Sequence, residues 1–181
     1  AGTMIACSCN QIYMGRQSSL GPTDPQFGGL PASGILDEFE RAKAEVAANP
    51  ALVSVWAPII GKYHPTLLGE CENALLMAKD MVKGWLERYM FNGEPDAREK
   101  AGIIAGELCD HKRSAMHGRH FPYAKLKGLG MKVSLLEDSP DFQDAVLSLH
   151  HAYMITFQRN SAVKIIESSN GNAWVIGKSS R

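Results

Sequence analysis

Apolar side chains recur at three- and four-residue steps between Thr66 and Tyr89. Leu68, Ala74, Leu75, Ala78, Met81, Val82, Trp85 and Leu86 fall on one side of a helix there. Phe91-Asn92-Gly93 closes it, and Pro95 opens a second helix with Ala101, Ile103, Ile104 and Leu108 as its inner face. Residues 1–9 are small and apolar without alternation, which predicts a short buried helix stopped near Asn10. Gln11-Ile12-Tyr13-Met14 then reads as a short strand. Residues 18–31 carry Pro22, Pro25 and Pro31 among glycines and read as an ordered loop.

Ser33 or its neighbours can start an amphipathic, peripheral helix through Ile35, Phe39, Ala42 and Val46, ended by Asn49-Pro50. Val53 to Ile60 is apolar and rich in β-branched residues, which predicts a buried strand before Gly61-Lys62-Tyr63-His64-Pro65. A short helix from Tyr123 to Leu129 ends at Gly130, and Met131-Lys132-Val133 begins an extended piece. Asp138-Ser139-Pro140 starts a helix running to about Phe157. Ala162 to Glu167 and Ala173 to Ile176 flank Asn170-Gly171, a strong hairpin signal.

The length of 181 residues suits one domain, or one large fragment of a domain. Lysine plus arginine (19) equals aspartate plus glutamate (19), so charge offers no argument for nucleic acid or an anionic membrane. No apolar run approaches the roughly 18–20 residues that span a bilayer, and no signal-peptide pattern is visible. Cys7-x-Cys9 has no second close pair to complete a zinc site. With Cys71 and Cys109, the cysteines read as small thiols in a reducing compartment.

Several polar residues take structural readings first. Ser18 and Ser19 read as loop serines and Asp24 as a turn residue before Pro25. His111, His117 and His120, with Arg113 and Arg119, match no standard metal spacing and read as a polar loop. His150 and His151 are adjacent, so a helix points them in different directions. Met77, Met81, Trp85 and Met90 read as core or subunit interface rather than a cofactor box.

The opening Ala1-Gly2-Thr3-Met4-Ile5-Ala6, followed by Leu20-Gly21-Pro22-Thr23-Asp24-Pro25-Gln26, resembles the nucleophile region of signal-peptide-peptidase-like serine proteases. The similarity is to the branch called the serine dehydrogenase proteinase family. Met116-His117-Gly118-Arg119, Leu129-Gly130-Met131-Lys132-Val133, the stretch Val146 to Tyr153 and Ala162 to Glu167 also look like that family, so the resemblance covers nearly the whole chain. It implies an α/β fold of the ClpP/crotonase type, a spiral of β-β-α units, here the helix-rich C-terminal portion ending in a hairpin. In that family the first segment reads Ser-Ala-Gly-Thr and the serine is the nucleophile. The resemblance therefore expects the nucleophile immediately before Ala1, and expects 1–181 to be one protease domain lacking its N-terminal part and inactive by itself.

The implied chemistry is a serine–lysine dyad, in which a lysine of lowered pKa activates the serine hydroxyl. Lys62 follows the apolar run and precedes the long helix, as the base does in related peptidases. Lys43 is the rival, but it sits among charges in Glu38-Phe39-Glu40-Arg41-Ala42-Lys43-Ala44-Glu45 and reads as a solvated surface residue. Ala1 and Gly2 would lie at the oxyanion hole, with Gly2 allowing close approach of substrate. The resemblance implies no cofactor or metal, a peptide or protein substrate, a homo-oligomer, and no nucleic-acid partner. Membrane association through an upstream segment would fit, with a cytoplasmic or membrane-associated location. An inactive oligomeric scaffold of the same fold and a crotonase-like acyl-CoA enzyme are the alternatives.

Overall fold

The computed structural model describes residues 2–110 and 120–178. Read above as one domain, the chain forms two compact units, Ala1–Ser134 and Leu135–Arg181.

The first unit is organised by helices. Helix α1 (Gly2–Cys7) buries Thr3 and Cys7. Strand β1 (Ile12–Met14) follows, alternating buried and exposed positions. The loop at 18–31 is ordered, as its composition predicts, and contains three two-residue strands: β2 (Ser19–Leu20), β3 (Gln26–Phe27) and β4 (Leu30–Pro31). Strands β3 and β4 form a small antiparallel hairpin turning on Gly28 and Gly29, both at positive φ (57° and 87°). Two consecutive left-handed residues fit a two-residue hairpin, and glycine adopts them without strain.

Helix α2 (Ala32–Ala48) buries Ala32, Ile35 and Ala42. It stops where the Asn49 amide bonds Glu45 O and Asn49 Oδ1 accepts from the Ala51 amide, capping a 3₁₀ turn over Pro50–Leu52. The next segment corrects the sequence reading: Val53–Ile60 is helix α3, not a strand. A short apolar run is helix or strand according to its surroundings, and periodicity alone does not decide. Here the run continues from the 3₁₀ turn and buries Trp56 alone, with Val53, Val55 and Ile59 exposed. The Trp56 indole donates to Glu45 Oε2 (2.9 Å), and the Arg41 guanidinium lies 5.1 Å from its ring centre. Those contacts tie α3 to α2.

Helix α4 (Leu67–Trp85) buries Cys71, Ala78 and Val82. Its last turn widens into a π-helical turn over Leu86–Met90, where the Phe91 amide reaches Leu86 O at 2.9 Å. The wider turn brings Leu86, Met90 and Phe91 inward together. Helix α5 (Ala97–Leu108) buries Ala101, Ile104, Ala105 and Leu108. Ile103, expected on that inner face, is exposed, because the stripe advances from 101 to 104 and 105 and skips 103. Strand β5 (Phe121–Pro122) pairs antiparallel with β2, setting Phe121 opposite Leu20. Helix α6 (Tyr123–Gly128) closes through Gly130 at φ 84°, with the Met131 amide bonded to Leu126 O. Strand β6 (Val133–Leu135) pairs with β1.

One core gathers these elements. Cys7, Met14, Val82, Leu86, Phe91, Ile104, Leu108, Phe121 and Leu126 are among its buried members. A smaller cluster joins α2 to α4, where Ala32 and Cys71 are fully buried beside Ile35. Glu94 clasps the edge of the main core. It accepts from Lys100 Nζ and Lys132 Nζ, both at 2.8 Å, and both cations lie 5.8 Å from the Phe91 ring centre.

In the second unit, a 3₁₀ turn (Leu136–Asp138) leads to helix α7 (Pro140–Arg159), with Pro140 in its first turn as predicted. Strands β7 (Ala162–Glu167) and β8 (Ala173–Gly177) form an antiparallel hairpin closed around Gly171 at φ 85°. The chain is thus mixed α/β and rich in helix. Among the described residues its sheets are four two-stranded pairs, and no helix is long and apolar enough to cross a membrane.

Phe121 is fully buried and anchors the β2–β5 pairing. Phe121→Ala is expected to cost about 3–5 kcal/mol in chemical denaturation, as large-to-small core changes do. The Lys100 and Lys132 ammonium groups hold the Glu94 carboxyl below its ordinary pKa. Such a group stabilises the fold above its unfolded pKa, and that contribution fades as pH falls through the lower folded value. Wild type and Glu94→Gln should therefore converge in stability below about pH 4, and wild type should be the more stable at neutral pH. Denaturation midpoints measured across that range check this.

Candidate functional site

A concavity of the first unit lies between α1, the segment following β2, and α4. It encloses about 730 Å³. Thr3 and Met4 of α1 form one side, the turn from Pro22 to Gln26 another, and Ala74, Met77, Ala78 and Met81 of α4 the floor. Helix α4 can serve both core and cleft because its faces divide by period. Cys71 and Val82 are buried, Met77 (63 % exposed) and Met81 (38 % exposed) lie on the neighbouring stripe, and buried Ala78 belongs to both.

The rim is rigidly tied. Thr3 Oγ1 donates to Gly21 O at 2.7 Å, locking α1 to the loop. Thr23 N donates to Leu108 O at 2.9 Å, locking the loop to α5. Asp24 anchors the start of α2: Ser33 Oγ donates to Asp24 Oδ2 (2.5 Å), the Ser33 amide points at Oδ1 (3.4 Å), and the Ala32 amide donates to Pro25 O (2.8 Å). A carboxylate there offsets the exposed amides of a helix start. Asp24 is therefore a structural turn residue, as its place before Pro25 predicts.

Beyond Ser33, which lines both, lies a second cleft of about 620 Å³ between α2, α4 and the end of α5. It carries Asp37, Glu40, Glu72 and Asp110 with one lysine, Lys79, and Cys109. Thr23 stands between the clefts: it is 5 % exposed, its Oγ1 makes no well-formed hydrogen bond, and its polar influence falls on the Cys109 thiol. Burial pushes the Cys109 thiol up to about 11, against the opposing pull of Lys79 and the Thr23 hydroxyl. Burial, with the neighbouring Cys109 and Cys9, pushes Cys7 up to about 12. These are inert core thiols rather than nucleophiles.

The residues singled out from sequence are not all brought together. Ala1 lies outside the described residues, as do His111, Arg113, His117 and Arg119. Gly2 begins α1, is exposed, and a Cβ there would meet open space. Lys62 is exposed on the turn after α3, its amide bonded to Ile59 O, and lines neither cleft. Lys43 pairs with Glu40 (2.6 Å) on the open face of α2. His120 is exposed, and His150 and His151 lie on exposed positions of α7. No group of three or more metal-ligating side chains gathers among the described residues. Sequence reasoning missed the cleft floor. Its signal was the second stripe of α4, Ala74-x-x-Met77-x-x-x-Met81, soft and small residues offset from the core stripe.

No family model matches the chain, and no solved structure matches it. Two similar proteins come from Methanocaldococcus jannaschii, both described as uncharacterized. One is 27 % identical over 133 residues, covering 74 % of this chain and 38 % of its own length. The other is 38 % identical over 52 residues, covering 29 % of this chain and 18 % of its own length. The chain thus spans well under half of the curated relatives it matches.

Thiol labelling tests the cleft walls. At about pH 8, near the ordinary thiol pKa, iodoacetamide should modify exposed Cys9 readily. Cys7 and Cys109 should react only on unfolding or as pH approaches their raised values. Peptide mapping that finds Cys7 modified as fast as Cys9 in folded protein would contradict the packing of α1.

Proposed function

We propose that this chain is part of a serine peptidase of the serine dehydrogenase proteinase type, with the ClpP/crotonase fold. Its cleft binds an extended peptide, the nucleophile is a serine directly before Ala1, and Lys62 is the general base. The observation that carries this reading is the position of the cleft. It opens between Thr3 and Met4 of α1 and the Pro22–Gln26 turn, the two segments that resemble the family's nucleophile region. A cleft at that place presents substrate to a nucleophile held at the start of α1. Its lining is apolar save for Thr3, Thr23, Asp24, Gln26 and Ser33, of which Thr3, Asp24 and Ser33 are engaged in hydrogen bonds, which suits uncharged peptide side chains.

The oxyanion role of Ala1 and Gly2 and the base role of Lys62 rest on the resemblance. Lys62 stands away from the cleft lining, so its assignment is tested directly rather than read from proximity. The acyl-CoA alternative needs cations for the coenzyme's phosphates. Among the described residues the two clefts offer Lys79 alone, amid five carboxylates. The scaffold alternative is favoured by one observation, the exposed apolar helix–hairpin of the second unit.

With the gene's own upstream residues in place, the protein should cleave an unfolded peptide. Lys62→Ala should lower kcat by roughly 10²–10⁴-fold, the range for losing a general base. Ala74→Trp, which fills the cleft floor, should chiefly raise KM. Cleavage unaffected by Lys62→Ala would remove Lys62 from the mechanism, and no cleavage by the longer protein would leave the scaffold reading.

A further inference from the structure

We propose that the groove between α2, α4 and the end of α5 is a subsite for a basic side chain, arginine above all, of the peptide that occupies the cleft beside α1. The inference rests on the peptide reading of that cleft. The two hollows adjoin at Ser33, which lines both. A peptide extended along the Pro22–Gln26 wall reaches the second hollow there. Two helical stripes build the groove. Ser33, Leu36, Asp37 and Glu40 recur at three- and four-residue steps on one face of α2, as Glu72, Leu75 and Lys79 do on one face of α4. Leu36 and Leu75 are half-buried and pack on the small cluster of Ala32, Ile35 and Cys71, so the base of the groove is apolar. Asp37 and Glu40 edge it from α2, Glu72 edges it from α4, and Asp110 stands beside Cys109 at the end of α5.

That lining matches one class of side chain. Lysine and arginine lay their long stems along apolar surface and keep the charged head in water. Four carboxylates against one lysine make the groove a negative field that draws a cation in. Along α2, Glu38 and Glu45 pair with Arg41, and Glu40 pairs with Lys43. Asp37 and Glu72 have no such partner among the described residues. An independent sign lies at the end wall. Thr23 is 5 % exposed and turns its hydroxyl toward Cys109 without making a well-formed hydrogen bond. A buried hydroxyl left unpaired is costly. A guanidinium brings five N–H donors in a rigid fork, enough for the carboxylates and for an acceptor behind them. The compact, strongly hydrated ammonium of lysine spans less. Lys79 is the chain's own cation in the groove, and it opposes the entry of a second one.

The probe is a panel of fluorescent peptides in which one arginine is walked along an uncharged, unfolded chain, each with a twin carrying citrulline, the uncharged isostere, in its place. Fluorescence anisotropy with the full chain should find an arginine position that binds about fivefold or more tighter than its twin at low salt, the size expected of a few exposed charge pairs. The gap should close as salt approaches about 0.5 M. Asp37→Asn combined with Glu72→Gln, both exposed positions, should remove the gap. Lys79→Met should widen it. Glu99→Gln, a like change of charge on α5 away from the groove, should leave it unchanged. No gap at any position, a gap that survives the paired Asp37 and Glu72 variant, or no binding by any arginine peptide overturns the proposal. Cleavage of the same panel by the protein with its upstream residues separates the two readings. Arginine-selective binding without cleavage removes the peptidase and keeps the groove, whereas cleavage indifferent to arginine keeps the peptidase and removes the groove.

Discussion

The structure of the first unit depends on the two-sided burial of α4 and the π-helical turn that ends it. Cys71 of that helix belongs to the smaller hydrophobic cluster, while Val82 and, in the turn that follows, Leu86 belong to the main one. The widened turn brings Phe91 round to the buried side that Leu86 and Met90, as i,i+4 neighbours, already share. A regular helix would have carried the stripe onward by 100° per residue and swung part of it outward. With the stripe fixed, the neighbouring side of α4, which shares Ala78 with it, is fixed too, and that side is the cleft floor. Core and site are therefore two faces of one element, and disturbing the first rearranges the second.

Around that helix, polar contacts do positioning rather than chemistry. The Thr3 bond to Gly21, the Thr23 bond to Leu108 and the Asp24 bonds to Ser33 hold three consecutive pieces of the chain at the cleft rim. The first two use backbone groups that would otherwise be left unpaired beside a packed core. The segment from Gly21 to Gln26 is consequently rigid although it has almost no regular structure. Two prolines inside it restrict the backbone, and the Gly28-Gly29 hairpin turn beyond it reverses the chain before the start of α2.

The long-period elements were legible in the sequence, because helical burial writes itself at three- and four-residue steps. Helices α2, α4, α5 and α7 and the closing hairpin fall where the apolar spacing, Pro140 and Asn170-Gly171 place them. The 53–60 run was misread because β-branched residues favour strands only where a pleated neighbour exists, and this run has none. Ile103 was assigned inward because adjacent isoleucines look alike in sequence, whereas one residue of helix turns a side chain through 100°. At the candidate site, residues Pro22 to Gln26 of that motif line the cleft. Lys62 did not come with it, since a lysine's reach across tertiary structure leaves no local pattern. The cleft floor was hidden inside a helix that had already been explained as core.

We propose that the cleft beside α1 serves a serine nucleophile directly before Ala1. The most direct measurement is intact-protein mass spectrometry of the longer protein after treatment with a fluorophosphonate, followed by peptide mapping. The account predicts a single adduct on that serine, blocked by a peptide that fills the cleft. No adduct, or an adduct elsewhere that the peptide leaves untouched, would contradict it.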